Sequence, residues 1–170
     1  MQVIERDDVK KFLREVWNED TLTVLIRTHL HAEAKLIRLF EKCLPNPKAL
    51  NIDRMTFARK VELASALRLV TDSTVAQLLL LNKLRNRFAH KLDAEIAKAD
   101  VDAFLKSFSP AFQERLKVGA AQAANLKKVI DEQSLLGLRL RVCLIATDAG
   151  LLGNVDANLE LKTHAQSKNA

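Results

Sequence analysis

Residues 74–91, TVAQLLLLNKLRNRFAHK, constrain the fold class more tightly than any other stretch of the chain. Val75, Leu78, Leu79, Leu81, Leu84, Phe88 and Ala89 form an apolar set at three- and four-residue spacing, with no Gly or Pro to interrupt it, and that pattern predicts a helix. Four consecutive leucines predict burial nearly all round over its first half. The second half is of a different kind: Lys83, Arg85, Asn86, Arg87, His90 and Lys91 crowd its end. No Asp or Glu falls between Asp72 and Asp93, in a chain that is 28% charged. The helix should therefore be anchored in a core at one end and present a positive field around a histidine at the other.

The remaining sequence fits around such a helix. The chain has 170 residues with only four Gly, three Pro and no Tyr, so it is expected to be all-α, a single-domain antiparallel helical bundle with additional terminal helices. Val9, Phe12, Leu13, Val16 and Trp17 predict an amphipathic helix within residues 1–19, packing on the core. Asn18 or Asp20 can cap a long helix running to about Leu44 through Leu22, Leu25, Ile26, Leu30, Ile37 and Phe40, ended by Pro45 and Pro47. Thr56 can cap a helix over 57–69, and Thr71, Asp72 and Ser73 open the basic one. Asp100 can cap a short helix through Phe108, and Ser109 followed by Pro110 starts another. LRLRVCLI, at 138–145, alternates like a strand, but with no second strand to pair with it a helix over 135–149 is preferred. These elements make one helical domain over 20–150, with a polar tail at 151–170.

The net charge of +6 favours an anionic partner, of which nucleic acid is the commonest. Cys43 and Cys143 lie in apolar helical contexts and read as small buried hydrophobes of a reducing compartment. The first residues carry no apolar signal core and no run is long enough to span a membrane, so no membrane partner and a cytoplasmic location are expected.

On an ideal helix Asn86 and His90, four residues apart, share a face, whereas Arg85 and His90 lie about 140° apart in azimuth. Arg85 joins that face only if its long stem wraps round or the helix bends. Imidazole is the side chain that changes charge near neutral pH, so His90 among Lys83, Arg85, Arg87 and Lys91 suits binding a phosphodiester and moving protons. On chemistry alone the plainer reading comes first: basic residues at a helix C-terminus satisfy its last carbonyls and its dipole.

Arg85-Asn86-Arg87-Phe88-Ala89-His90 resembles the R-(x4 to x6)-H signature of the HEPN superfamily of helical nucleotide-binding and RNase domains. The setting is similar too: a long helix, a loop, the helix TFARKVELASALRLV, a turn, then the motif closing a leucine-rich helix, over roughly Asp20 to Phe108. The resemblance implies a HEPN-like bundle and a metal-independent endoribonuclease without a cofactor, with Arg85 and His90 as the catalytic pair, Asn86 orienting them, and Lys83, Arg87 and Lys91 binding nucleic acid. Relatives of this kind dimerise, so that a two-fold axis lines one cleft with two copies of the motif and supplies both an acid and a base. One histidine would take the proton of a ribose 2′-hydroxyl, Arg85 would stabilise the phosphorane, and the product would carry a 2′,3′-cyclic phosphate. RNA, a second copy of the chain, and an antitoxin or regulatory protein are then the expected partners of a toxin or antiphage effector. Short bacterial proteins with this fold, similar to mannitol-operon repressors, are regulators instead, so a non-catalytic helical regulator stands beside the enzyme.

Other constellations are weaker. His29, His31 and Glu33 suggest metal ligands, but His29 and His31 lie about 200° apart on a helix, while His29 and Glu33 form an ordinary i,i+4 pair. The glycines, at 119, 137, 150 and 153, form no phosphate-binding loop. Neither cysteine has the cationic or helix-start surroundings of a nucleophile. No metal site is expected.

Overall fold

The computed structural model describes residues 20–114, 137, 139–140, 142–147 and 151. Among them the chain is all-α, with no strand. Four helices carry the architecture: α1 (Thr21–Cys43), α2 (Phe57–Ala66), α3 (Asp72–His90) and α4 (Lys98–Lys106). The expected helix within 1–19, the tail beyond 151 and most of the segment after Ser109 lie outside the described residues.

Each start has a chemical cause. Asp20 caps α1, its carboxylate accepting from the backbone N–H of Leu22 at 2.9 Å and of Thr23 at 3.1 Å. Those bonds, led by the one from the Thr23 hydroxyl, hold the Asp20 carboxyl below its ordinary value. Thr56 accepts from Arg59 N–H at 3.4 Å to open α2, and Thr71 from Thr74 N–H at 3.3 Å to open α3. Asp100 does not sit at the cap position: α4 begins at Lys98, and Asp100 reaches back from its first turn to the Ala97 N–H at 2.9 Å. Ser109 starts a helical turn over residues 110–114.

The connections depart from the sequence reading in two places. Between Cys43 and Phe57 the loop holds two 3₁₀ turns, Pro47–Ala49 and Ile52–Arg54, the second burying Ile52. Helix α2 stops at Ala66, three residues before the expected end, because Arg68 adopts a left-handed φ of 53°. The N–H groups of Arg68 and Leu69 then close on the carbonyls of Ser65 and Ala64, a Schellman-type ending.

Helices α1, α2 and α3 each pack on the other two, and α4 packs on α3. The shared core is Leu25, Leu36, Leu39 and Phe40 from α1, Phe57 and Val61 from α2, Leu78, Leu81 and Leu84 from α3, and Val101 and Phe104 from α4. Leu140, Cys143, Leu144 and Leu151 close it from helical residues near the C-terminus, so the 135–149 segment is helical wherever it is described. Gly137 lies against Thr21 there: a Cβ would come within 2.9 Å of the threonine hydroxyl, so a larger residue would force that side chain to shift. No helix among the described residues is long and apolar enough to cross a membrane.

The apolar faces are narrower than the sequence suggests. On α3, Leu78, Leu81 and Leu84 are buried, but Leu79 stands in solvent, so the leucine run is not covered all round. On α1, Leu22, Ile26 and Leu30, expected inside, are 41%, 44% and 58% exposed, and Val24, Ala32, Leu36 and Leu39 take the inner face. The chemistry of leucine cannot say which of two apolar stripes faces the other helices; packing decides it.

Candidate functional site

The motif occupies the last turn and a half of α3, a continuous helix through His90. Lys91 then turns extended, and its N–H bonds the Arg87 carbonyl at 3.0 Å. Arg87 and His90 lie in that last turn, where the negative end of the helix dipole favours cations.

Arg85 is exposed, and its Nη1 donates to Asn86 Oδ1 at 3.2 Å. The guanidinium is thus drawn toward the face that Asn86 shares with His90 by the four-residue period. His90 is exposed, and among the described residues Arg85 and His90 make no hydrogen bond to each other. One chain therefore brings Arg85 and Asn86 together and leaves His90 one turn further on.

The flanking cations divide. Lys83 and Lys91 are exposed. Arg87 is engaged within the fold: its Nη1 and Nη2 donate to the two carboxylate oxygens of Asp100, the first at 2.9 Å, and Nη2 also donates to the Glu95 carbonyl at 3.0 Å. Bonding to Asp100 holds the Arg87 proton even more firmly than usual. This arginine pins the loop after α3 onto the start of α4.

That loop returns acid to the site. Arg87, His90 and Lys91 border an open hollow of about 610 Å³ together with Asp93 and Glu95. The run without acidic residues is a property of the linear sequence, and the fold closes it with two carboxylates on the His90 side.

Two members of the neighbourhood were not singled out by the motif. His29 of α1, only 6% exposed, packs its ring at a tilt against Phe57 with ring centroids 4.1 Å apart and meets Asn82 of α3, Nε2 to Oδ1, at 3.3 Å. Burial holds the His29 imidazole below its ordinary value of 6.5, with Arg85 and Lys60 adding to the effect and the Asn82 bond and Glu33 opposing it. Glu33, in turn, pairs with Lys60 of α2 at 2.5 Å. His29 and Glu33 thus face different partners across the seam, and no group of three or more potential metal ligands gathers among the described residues. The signal for Asn82 was present in the sequence as the residue four before Asn86, on one face with it.

His29 and Asn82 also set the register of the seam. α1 and α3 run antiparallel, since Leu22 and Leu25 approach Phe88 while His29 meets Asn82. Leu22, Ile26 and Leu30 leave an exposed apolar stripe on α1, and its first residue approaches Phe88 of the motif.

Comparison with known proteins returns nothing similar: no family model, no curated protein and no solved structure matches the chain.

Proposed function

We propose that the chain is a metal-independent endoribonuclease of the HEPN superfamily, acting in the cytoplasm as a homodimer, with the biology of a toxin or antiphage effector. The observation that carries this reading is the Arg85–Asn86 contact on the face that Asn86 shares with an exposed His90. Arg85 supplies charge for a phosphorane and His90 the proton transfer. Because one chain leaves the two unlinked, a second copy has to complete the site. Leu22, Ile26 and Leu30, an exposed apolar stripe on α1, offer that copy a surface.

The test is RNA cleavage by the purified protein in excess chelator. His90→Ala should abolish cleavage while the protein stays folded and dimeric, and the product should end in a 2′,3′-cyclic phosphate. Equal cleavage by the variant overturns the reading.

A second reading is favoured by the mixed charge around His90: with Asp93 and Glu95 beside it and Arg87 taken by Asp100, that hollow suits a protein partner as well as RNA. The chain would then be a non-catalytic regulator, similar to mannitol-operon repressors, that binds an antitoxin, another protein or nucleic acid. In that case His90→Ala leaves binding intact, and binding to nucleic acid weakens steeply with salt.

A further inference from the structure

Helix α3 carries a ladder of polar residues at four-residue spacing, Asn82, Asn86 and His90, and two of its rungs are oriented by neighbours. Asn82 Oδ1 faces His29 Nε2 at 3.3 Å. A carboxamide oxygen only accepts, so with Asn82 oriented this way His29 carries its proton on Nε2 and donates it. Asn86 Oδ1 accepts from Arg85 Nη1 at 3.2 Å. Both carbonyl oxygens are therefore occupied by a neighbour's N–H. What each asparagine has left is its amide NH₂, with no partner among the described residues. Asn82 and Asn86 are half-buried, and Arg85, three residues after Asn82 and bonded to Asn86, has guanidinium N–H groups to spare. The groups presented on this stretch are donors.

We propose that Asn82, held by His29, is an oxyanion-binding residue, and that Asn82, Arg85 and Asn86 together form a phosphate subsite at the α1–α3 seam. The ligand is a phosphodiester of single-stranded RNA, so the assignment rests on the ribonuclease reading, though its chemistry is that of any phosphate. Two neutral amides and one guanidinium suit a phosphodiester, which has acceptors and no donor. His29, almost wholly buried, does not touch the ligand. It is a positioning residue: without its N–H, the Asn82 amide is free to turn its oxygen outward and oppose an anion. Other charged groups around His29 are Glu33 of α1, Lys60 of α2 and Arg85 itself, and Glu33 is drawn to Lys60. Among the described residues no carboxylate bonds to Arg85.

The experiment follows the side-chain amide signals of Asn82 and Asn86 and the guanidinium signal of Arg85 by NMR in the full chain. Two probes are titrated separately: inorganic phosphate and a 2′-O-methyl single-stranded oligonucleotide, which cannot be cleaved. All three signals should move saturably with both. Asn82→Asp, which replaces donors with acceptors at equal volume, should weaken oligonucleotide binding by about tenfold or more. His29→Gln keeps an N–H and should bind like the native protein, whereas His29→Leu should weaken binding in a protein that remains folded. Native affinity in folded Asn82→Asp, or no movement of the Asn82 signal with either probe, overturns the proposal. Phosphate binding at these residues without RNA cleavage would leave the subsite standing and remove the ribonuclease reading alone.

Discussion

The ammonium of Lys60, buried on α2, meets the carboxylate of Glu33 on α1 at 2.5 Å, and the two ends of this pair are unequal: Lys60 is 1% exposed, while Glu33 keeps a solvent-facing edge. Removing Glu33 strands a charge in the core, while removing Lys60 leaves a carboxylate that water can reach. Glu33→Gln should therefore destabilise the fold by about 3 kcal/mol, and Lys60→Met should be close to neutral. Urea unfolding of both variants checks the asymmetry; equal losses would mean that Lys60 finds another partner or reaches water.

Arg68 ends α2 in the left-handed region, with φ of 53°, where a Cβ is unfavourable and glycine is not. Arg68 is exposed, so its side chain contributes little packing. Arg68→Gly should raise stability by about 0.5–1 kcal/mol, because relief of strain exceeds the added freedom of the unfolded chain. A thermal melt with a lower midpoint than the native protein would show that the arginine makes contacts that outweigh the strain.

Arg68 also marks how far the sequence could be read. Helix starts were legible because Asp20, Thr56 and Thr71 announce them with side-chain oxygens that the backbone then uses. The end of α2 was not, since an arginine at a position that usually takes glycine gives no signal. The core of α3 was half legible: period and composition mark Leu78, Leu81 and Leu84, but nothing local separates them from exposed Leu79. At the site, the shared face of Asn86 and His90 follows from helical period alone. The capture of Arg87 by Asp100 and the return of Asp93 and Glu95 depend on the course of the loop after α3, which the sequence does not encode in any local pattern.

Arg87 and Asp100 should behave as a structural hinge pin. Arg87→Ala removes both bonds to Asp100 and the bond to the Glu95 carbonyl, freeing the loop and loosening the start of α4. The pair is partly exposed, so the loss should be about 1–2 kcal/mol. Hydrogen exchange at residues 92–100 should quicken while the interior of α1 is unchanged. Exchange that rises uniformly along the chain would refute a local role.

Cys143 is fully buried, and burial pushes its thiol up to about 12, so it is neither ionised nor reachable at neutral pH. Cys43 is only half-buried. A thiol reagent at pH 8 should label Cys43 in the native protein and Cys143 only on unfolding. Rapid labelling of Cys143 in native buffer would place an opening in the helix that carries it.

His29 gives stability a pH dependence whose sign follows from its burial. Its folded value lies below the ordinary 6.5, so below that pH the unfolded chain takes up a proton that the native chain refuses. The unfolded state then binds more protons, and stability rises with pH. Stability should be fully present above about pH 6.5 and fall on acidification until the folded His29 titrates, by at most about 1.4 kcal/mol per pH unit for one proton. His29→Gln cannot take up that proton in either state and should flatten the curve over this window. Unfolding free energies of both proteins between pH 7.5 and about 5 would show this, and parallel curves would mean that His29 is charged or solvated in the native fold.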